Sequence, residues 1–101
     1  MISDKEKDII IETLRPYRPQ KIGVFGSRAH GKHTKDSDLD LLVAFPHINM
    51  LELVELEDKL SQLLDVNVDL VTEASISRYL RPHIEDEVYY FFESDEVANE
   101  E

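Results

Sequence analysis

Cysteine is absent from the 101-residue sequence, which excludes disulfide bonds, thiolate metal sites and cysteine nucleophiles. No apolar run approaches the roughly 20 residues of a membrane-spanning helix, and the polar N-terminus lacks the apolar core of a signal peptide. About a hundred residues are enough for one hydrophobic core and too few for two. These absences predict a single cytoplasmic domain that does not bind a membrane.

Positive charge is also scarce. The chain has 11 Lys and Arg residues against 22 Asp and Glu, a net charge of −11, and no Lys or Arg follows Arg81. Nonspecific nucleic-acid binding depends on Lys and Arg that neutralise phosphates, so we predict no direct binding to nucleic acid. A basic protein partner is compatible with this charge, although solubility is the simpler interpretation.

Two capping boxes mark the predicted helix starts, Ser3 with Glu6 and Asn49 with Glu52. They predict helices over 4–15 and 50–64, and Pro16 stops the first of them. The second helix carries leucines at helical spacing that are predicted to pack in the core. These leucines are Leu53, Leu56, Leu60, Leu63 and Leu64.

Short apolar runs predict the strands. The predicted strands cover 21–25, 39–45 and 66–71. A short helix within 28–37 and a third helix from Ser75 or Ser77 to about 87 are also expected. Residues 88–92 are rich in aromatic side chains and fit either an edge strand or a continuation of that helix.

The polar residues between the first two strands carry the chemistry. Gly26-Ser27 ends the first strand, and its backbone N–H groups and hydroxyl are donors of the kind that phosphate needs. Asp38 and Asp40 stand at positions i and i+2, so on a strand they project to one face. Adjacent carboxylates repel unless a cation lies between them, and Mg²⁺ prefers one or two carboxylates together with substrate phosphates. This combination indicates nucleotide chemistry.

A third acid follows on a later strand. Asp69 lies in an alternating run, on the face opposite Val66, Val68 and Leu70. If its strand pairs with the strand of Asp38 and Asp40, three carboxylates converge on one or two ions, because paired strands lie about 4.8 Å apart.

Three other motif interpretations fail. Residues 26–32 match a Walker A loop, but His33 stands where Ser or Thr should hold magnesium. The acidic run 36–40 resembles the start of a calcium loop, but Leu41 occupies the glycine position. The spacing of the glycines also differs from the dinucleotide-binding fingerprint. In the same loop Arg28 is a candidate phosphate contact, whereas His30 and His33 are more simply solvated.

Gly26-Ser27, ten intervening residues, Asp38-x-Asp40 and a later lone Asp69 resemble the signature of the polymerase β-like nucleotidyltransferase superfamily. The similarity covers roughly residues 5 to 92 and is greatest to the minimal nucleotidyltransferases (MNT), antitoxins whose partners are HEPN-domain toxins. Family members often carry Arg at His30 and Pro at Lys35. The resemblance implies an α/β (α+β) fold, with a small mixed sheet of three to four strands and helices on one face. It implies a minimal nucleotidyltransferase domain over 1–93, and we expect an acidic mobile tail over 94–101.

The resemblance further implies an enzyme, a protein adenylyltransferase with a two-metal magnesium site. Asp38, Asp40 and Asp69 would be catalytic and bind the metal, Gly26, Ser27 and Arg28 would bind the nucleotide, and ATP would be the substrate. The implied acceptor is a hydroxyl, in particular a tyrosine of the cognate HEPN ribonuclease toxin. Two alternatives stay open: an antitoxin that only binds its toxin, and a nucleotidyltransferase for a small molecule such as an aminoglycoside.

Overall fold

The computed structural model describes residues 2–26, 38–76 and 87–94. Helix α1 covers Asp4–Leu14 and helix α2 covers Met50–Leu64. Both predicted capping boxes are confirmed. In the second, the Glu52 N–H donates to Asn49 Oδ1 at 2.8 Å and the Asn49 N–H donates to Glu52 Oε1 at 3.1 Å. The start of each helix is therefore specified locally.

Within the described residues, four strands form one mixed sheet: β1 (Lys21–Phe25), β2 (Leu39–Ala44), β3 (Val68–Thr72) and β4 (Tyr89–Glu93). Their order across the sheet is β3-β2-β1-β4, with β2 parallel to β3 and the other pairs antiparallel. Helix α2 connects the two parallel strands, as a parallel pair requires a crossover. The predicted fold class is confirmed.

Two strand predictions are refined. Strand β3 begins two residues later than predicted, because Asp65 adopts a left-handed conformation (φ 56°) and Val66 N–H donates to Ser61 O at 3.3 Å. These residues close α2 rather than start a strand. For 88–92 the edge-strand alternative is confirmed, since β4 pairs with β1. The predicted helices within 28–37 and from 75 or 77 to 87 fall largely outside the described residues.

The core lies between one face of the sheet and the two helices, as predicted. The buried members of this cluster are Ile10, Leu14, Ile22, Val24, Leu39, Leu41, Val43, Leu56, Leu60, Val68 and Leu70. The prediction for Leu63 is wrong: its side chain is 52% exposed. Leu60 and Leu64 lie one turn apart and pack with the core, whereas Leu63 lies about 100° around the helix from Leu64.

Side chains of α2 cover the outer edge of β3. The Leu70 N–H donates to Glu57 Oε2 at 2.7 Å, and the Val68 N–H donates to Ser61 Oγ at 3.0 Å. β3 is an edge strand of the described sheet, and unpaired edge groups would otherwise invite another strand. The helix therefore satisfies backbone donors that the sheet leaves open.

We expect Glu57→Ala to lower the free energy of unfolding by about 1–2 kcal/mol, because it leaves the part-buried Leu70 N–H without an acceptor. Urea denaturation measures this loss. Glu57→Gln keeps an acceptor oxygen and should retain most of the stability. Glu55→Ala, two positions earlier on an exposed part of α2, is the matched control. Equal stability of the Glu57→Ala and Glu55→Ala variants would contradict the assigned role.

Candidate active site

Two acidic side chains meet at the beginning of the parallel strand pair. Asp40 on β2 is the register partner of Asp69 on β3. Their neighbours Leu41 and Leu70 are also partners and are buried in the core. Because side chains alternate along a strand, the two acids project to the sheet face away from the helices. The register thus brings together two of the three predicted carboxylates.

Asp38 stands just before β2, which begins at Leu39, and it is exposed. Its negative charge is close enough to influence Asp40. The described residues, however, hold no group of three His, Asp or Glu side chains that could bind a metal ion. Asp40 and Asp69 therefore lie side by side, whereas Asp38 lies outside the strand pair. Convergence of all three acids stays a prediction.

Asp40 is the strongly perturbed acid of the pair. Partial burial raises the pKa of Asp40 to about 6, and the charge of Asp69, a hydrogen bond with Asp69 and the charge of Asp38 add to the rise. Two carboxylates held this closely cannot both ionise freely, so Asp40 keeps its proton to a higher pH than a free aspartate does. A divalent cation would relieve the same repulsion.

The turn after β1 lies directly against Asp40. Gly26 has a left-handed backbone conformation (φ 78°), and a Cβ atom at this position would collide with Asp40 Oδ2. The contact follows from the register, because Phe25 is the partner of Asp40 across β1 and β2. The left-handed backbone therefore favours glycine here, and a side chain at this position would also have to displace the Asp40 carboxylate. The turn predicted to bind phosphate abuts the acid pair.

The residues present fit a hard divalent cation such as Mg²⁺. Such cations take oxygen ligands, and the donor set here consists of the carboxylates of Asp40 and Asp69 with Asp38 nearby. A bound cation would take the place of the proton on Asp40 and would offset the repulsion between the two carboxylates.

The other predicted site residues, Ser27 and Arg28, lie outside the described residues, as do His30 and His33. The contact between Gly26 and the Asp40 carboxylate was not foreseen. The sequence signals this contact only by a glycine at the end of one predicted strand and an acidic motif at the start of the next.

A family model for the nucleotidyltransferase domain matches residues 7–91. Among curated proteins, the chain is similar to protein adenylyltransferase MntA of Thermococcus cleftensis. The two are 42% identical over 72 residues, which cover 70% of this chain and 73% of the relative. The matched region contains all the described strands except the last residues of β4.

Solved structures of toxin–antitoxin complexes are also similar. A chain of a toxin–antitoxin structure with AMP-PNP superposes with a TM-score of 0.79 at 29% identity and covers 93% of this chain and 77% of that chain. A second structure contains a tri-AMPylated HEPN toxin of Shewanella oneidensis with an MNT antitoxin. Its matching chain gives a TM-score of 0.73 at 26% identity, over 94% of this chain and 76% of that chain. Sequence, fold and acid pair agree that the chain belongs to the nucleotidyltransferase family and is an enzyme of the minimal nucleotidyltransferase type.

Proposed function

We propose that the protein is a magnesium-dependent adenylyltransferase that transfers AMP from ATP to a tyrosine hydroxyl of a cognate HEPN-domain ribonuclease, and so acts as the antitoxin of that toxin. The observation that carries the proposal is the contact between the Asp40–Asp69 pair and the Gly26 turn. This contact supports the proposal, because carboxylates able to bind a metal would then lie beside the segment that we expect to hold the triphosphate. Relatives that are adenylyltransferases, or that occur with AMP-PNP or an AMPylated HEPN toxin, support the choice of nucleotide and partner.

In this mechanism Asp38, Asp40 and Asp69 hold magnesium. Magnesium held there would supply neutralisation of the triphosphate charge and a lower pKa for the acceptor hydroxyl. The Gly26 turn, with Ser27 and Arg28 following it in sequence, holds the phosphates by backbone N–H groups, a hydroxyl and a guanidinium.

The transfer is a single substitution at the α-phosphorus. The acceptor oxygen forms a bond to Pα as the bond from Pα to the pyrophosphate oxygen breaks, and pyrophosphate leaves. The hydroxyl proton passes to the carboxylate of Asp69, the exposed member of the acid pair. Asp40, the half-buried member next to Gly26, would hold the metal during transfer.

A protein acceptor suits the position of this acid pair. Asp38 and Asp69 are exposed at the beginning of their strands, on the sheet face that the two helices do not cover. A partner surface would cover these two exposed carboxylates and exclude water during transfer. The exposure of both acids therefore favours a protein acceptor, whose own surface can enclose them, over the aminoglycoside alternative.

Incubation of the purified protein with ATP, Mg²⁺ and its co-encoded HEPN-domain protein should add one or more AMP units to a tyrosine of the partner. Intact-mass spectrometry detects each addition, and peptide sequencing locates it. Transfer should cease without Mg²⁺ and in the Asp38→Asn variant. A partner that is bound and inhibited without any change in mass would establish the binding-only antitoxin. Modification of small hydroxylated compounds alone would establish the small-molecule enzyme.

A further inference from the structure

Three large apolar side chains at the start of α2 are exposed to solvent. Met50, Leu51 and Val54 are 75%, 68% and 53% exposed, and together they form what we call the α2 patch. Val54 is four residues after Met50 and three after Leu51, so its side chain neighbours both and the three are contiguous. Single exposed leucines are ordinary, but a cluster in the first turns of one helix marks a surface for contact.

The α2 patch continues into a groove between α2 and β3. A cavity of about 350 Å³ lies there, and its apolar lining includes Leu53, Leu70 and Val71 in addition to Met50 and Val54. This shape suits an apolar anchor inserted between the helix and the sheet edge, as in recognition of an amphipathic helix in a groove.

The side of the groove facing solvent is acidic. Glu55 follows Leu51 by one turn and Asp58 follows Val54 by one turn, and both acids are exposed. Lys59 is the lysine of α2 and lies five residues beyond Val54, about 140° around the helix at about 100° per residue. Lys59 lies one turn beyond Glu55 and offsets part of this charge, so the α2 patch has a rim with two exposed acids and one cation.

Two other occupants fit less well. A second copy of the chain would bring together two surfaces with acidic rims on molecules that each carry a net charge of −11, and this repulsion opposes self-association. An added β-strand would need open backbone donors on β3, but the N–H groups of Val68 and Leu70 are already bound by Ser61 and Glu57. The negative charge thus disfavours a second copy, and the occupied N–H groups of β3 disfavour an added strand. The remaining occupant is a helix of a basic partner protein.

We infer that the α2 patch is the docking surface for a basic amphipathic helix of a partner protein, with apolar anchors that enter the groove and Lys or Arg residues that face Glu55 and Asp58. The inference rests on the proposed function only in assigning this helix to the HEPN-domain toxin. Docking is separate from chemistry, because the α2 patch lies on the helical side of the sheet and near Thr72, at the ends of β2 and β3 opposite to the acid pair.

The defined probe is a fluorescent synthetic peptide of about 18 residues, a length of about five helical turns. It carries leucines at positions i, i+3, i+4 and i+7 of its apolar face and lysines on the flanks. A matched peptide keeps the leucines and replaces each lysine by glutamate. Fluorescence anisotropy with the full chain should show saturable binding of the lysine peptide and at least about tenfold weaker binding of the glutamate peptide.

The test variant is Leu51→Glu/Val54→Glu, which changes only exposed positions. Leu63→Glu is the matched control, since Leu63 is 52% exposed on the same helix but away from the groove. The double variant should lose at least about tenfold in affinity for the lysine peptide, as expected when apolar anchors lose their pocket, and the control should change by less than about threefold. Circular dichroism confirms that both variants are folded. Failure of the lysine peptide to bind, or equal loss in the control, would overturn the inference.

The same variants separate this inference from the proposed function. Titration of the HEPN-domain protein should show weakened binding to Leu51→Glu/Val54→Glu and unchanged binding to Asp38→Asn, which still lacks transfer. Binding that depends on the α2 patch without any AMP addition by the wild-type protein would leave the docking surface valid and refute the proposed function. If the patch variant instead binds the partner with wild-type affinity and still transfers AMP, the proposed function stands and the docking surface is refuted. A dimer in sedimentation velocity that the patch variant disrupts would show that a second copy is the occupant, and would overturn the inference.

Discussion

Replacement of Asp40 by Asn should reduce AMP transfer by about 10³-fold or more, because it removes the carboxylate that lies between Gly26 and Asp69 and that would hold the metal expected to neutralise the phosphates. The same change should stabilise the fold at neutral pH. Ionised Asp40 is disfavoured in the folded protein by burial and by its acidic neighbours, and an amide at this position carries no charge. Loss of activity with gain of stability distinguishes a functional acid from a structural one.

The stability gained by Asp40→Asn should depend on pH. The pKa of Asp40 rises from 3.8 to about 6 on folding, so the folded state binds this proton more tightly than the unfolded state does. The wild-type protein therefore loses stability as the pH rises from about 4 through 6, and the Asp40→Asn variant does not. After allowance for partial exposure, the difference should be about 1–2 kcal/mol above pH 6 and should vanish below pH 4.

Thermal unfolding of both proteins between pH 3.5 and 8, with chelator present to remove metal, measures the effect. Asp8→Asn, on an exposed part of α1, is the control and should follow the wild-type profile. Transfer is measured in parallel by incorporation of labelled AMP. A pH-independent difference in stability, or an active Asp40→Asn enzyme, would refute the role assigned to this carboxyl group.

Gly26→Ala should reduce transfer by about 10²-fold although it adds only a methyl group. Its Cβ would occupy the position of Asp40 Oδ2, and its backbone must keep a φ of 78° that is unfavourable for alanine. The carboxylate would have to turn away from its place beside Asp69, and displacements of about 1 Å at a reacting centre cost about that much. We expect a loss of about 1–2 kcal/mol in unfolding free energy as well.

A double-mutant cycle separates the two causes of this loss. In an Asp40→Ala background no carboxylate remains to collide with the new methyl group, so Gly26→Ala should cost less there than in the wild type, by about 0.5 kcal/mol or more. The remaining cost reports the left-handed backbone alone. Equal costs in both backgrounds would show that the contact with Asp40 contributes nothing and that the turn is sensitive only through its dihedral angle.

The features that the sequence predicted well depend on neighbours in the chain. The capping boxes at Ser3 and Asn49 are closed by residues three positions away, and strand β1 has the predicted bounds. The third carboxylate was predicted from alternation, and its contact with Asp40 required only that β2 and β3 pair in the observed register. Local patterns therefore predicted most of the fold and the acid pair.

What escaped prediction depends on contacts between distant segments. Whether 88–92 formed a strand or a helix was decided by the free side of β1, which no local pattern reveals. The collision of a Gly26 side chain with Asp40 depends on the β1–β2 register. Leu63 fits a helical repeat of leucines, but only packing decides that it points to solvent. The exposed α2 patch has the same origin, because the sequence shows its apolar character and not its exposure.

The pairing of β4 with β1 has a consequence for how the protein folds. Lys21 and Glu93 are partners although they are about 70 residues apart in the chain, so closure of the sheet depends on a contact of high sequence separation. During synthesis β1 can pair with β2 long before β4 leaves the ribosome, and its other edge stays open in the interval. An open strand edge is where nascent chains associate with each other. Emergence of β4 from the ribosome is therefore the step that ends the exposure of β1 to aggregation.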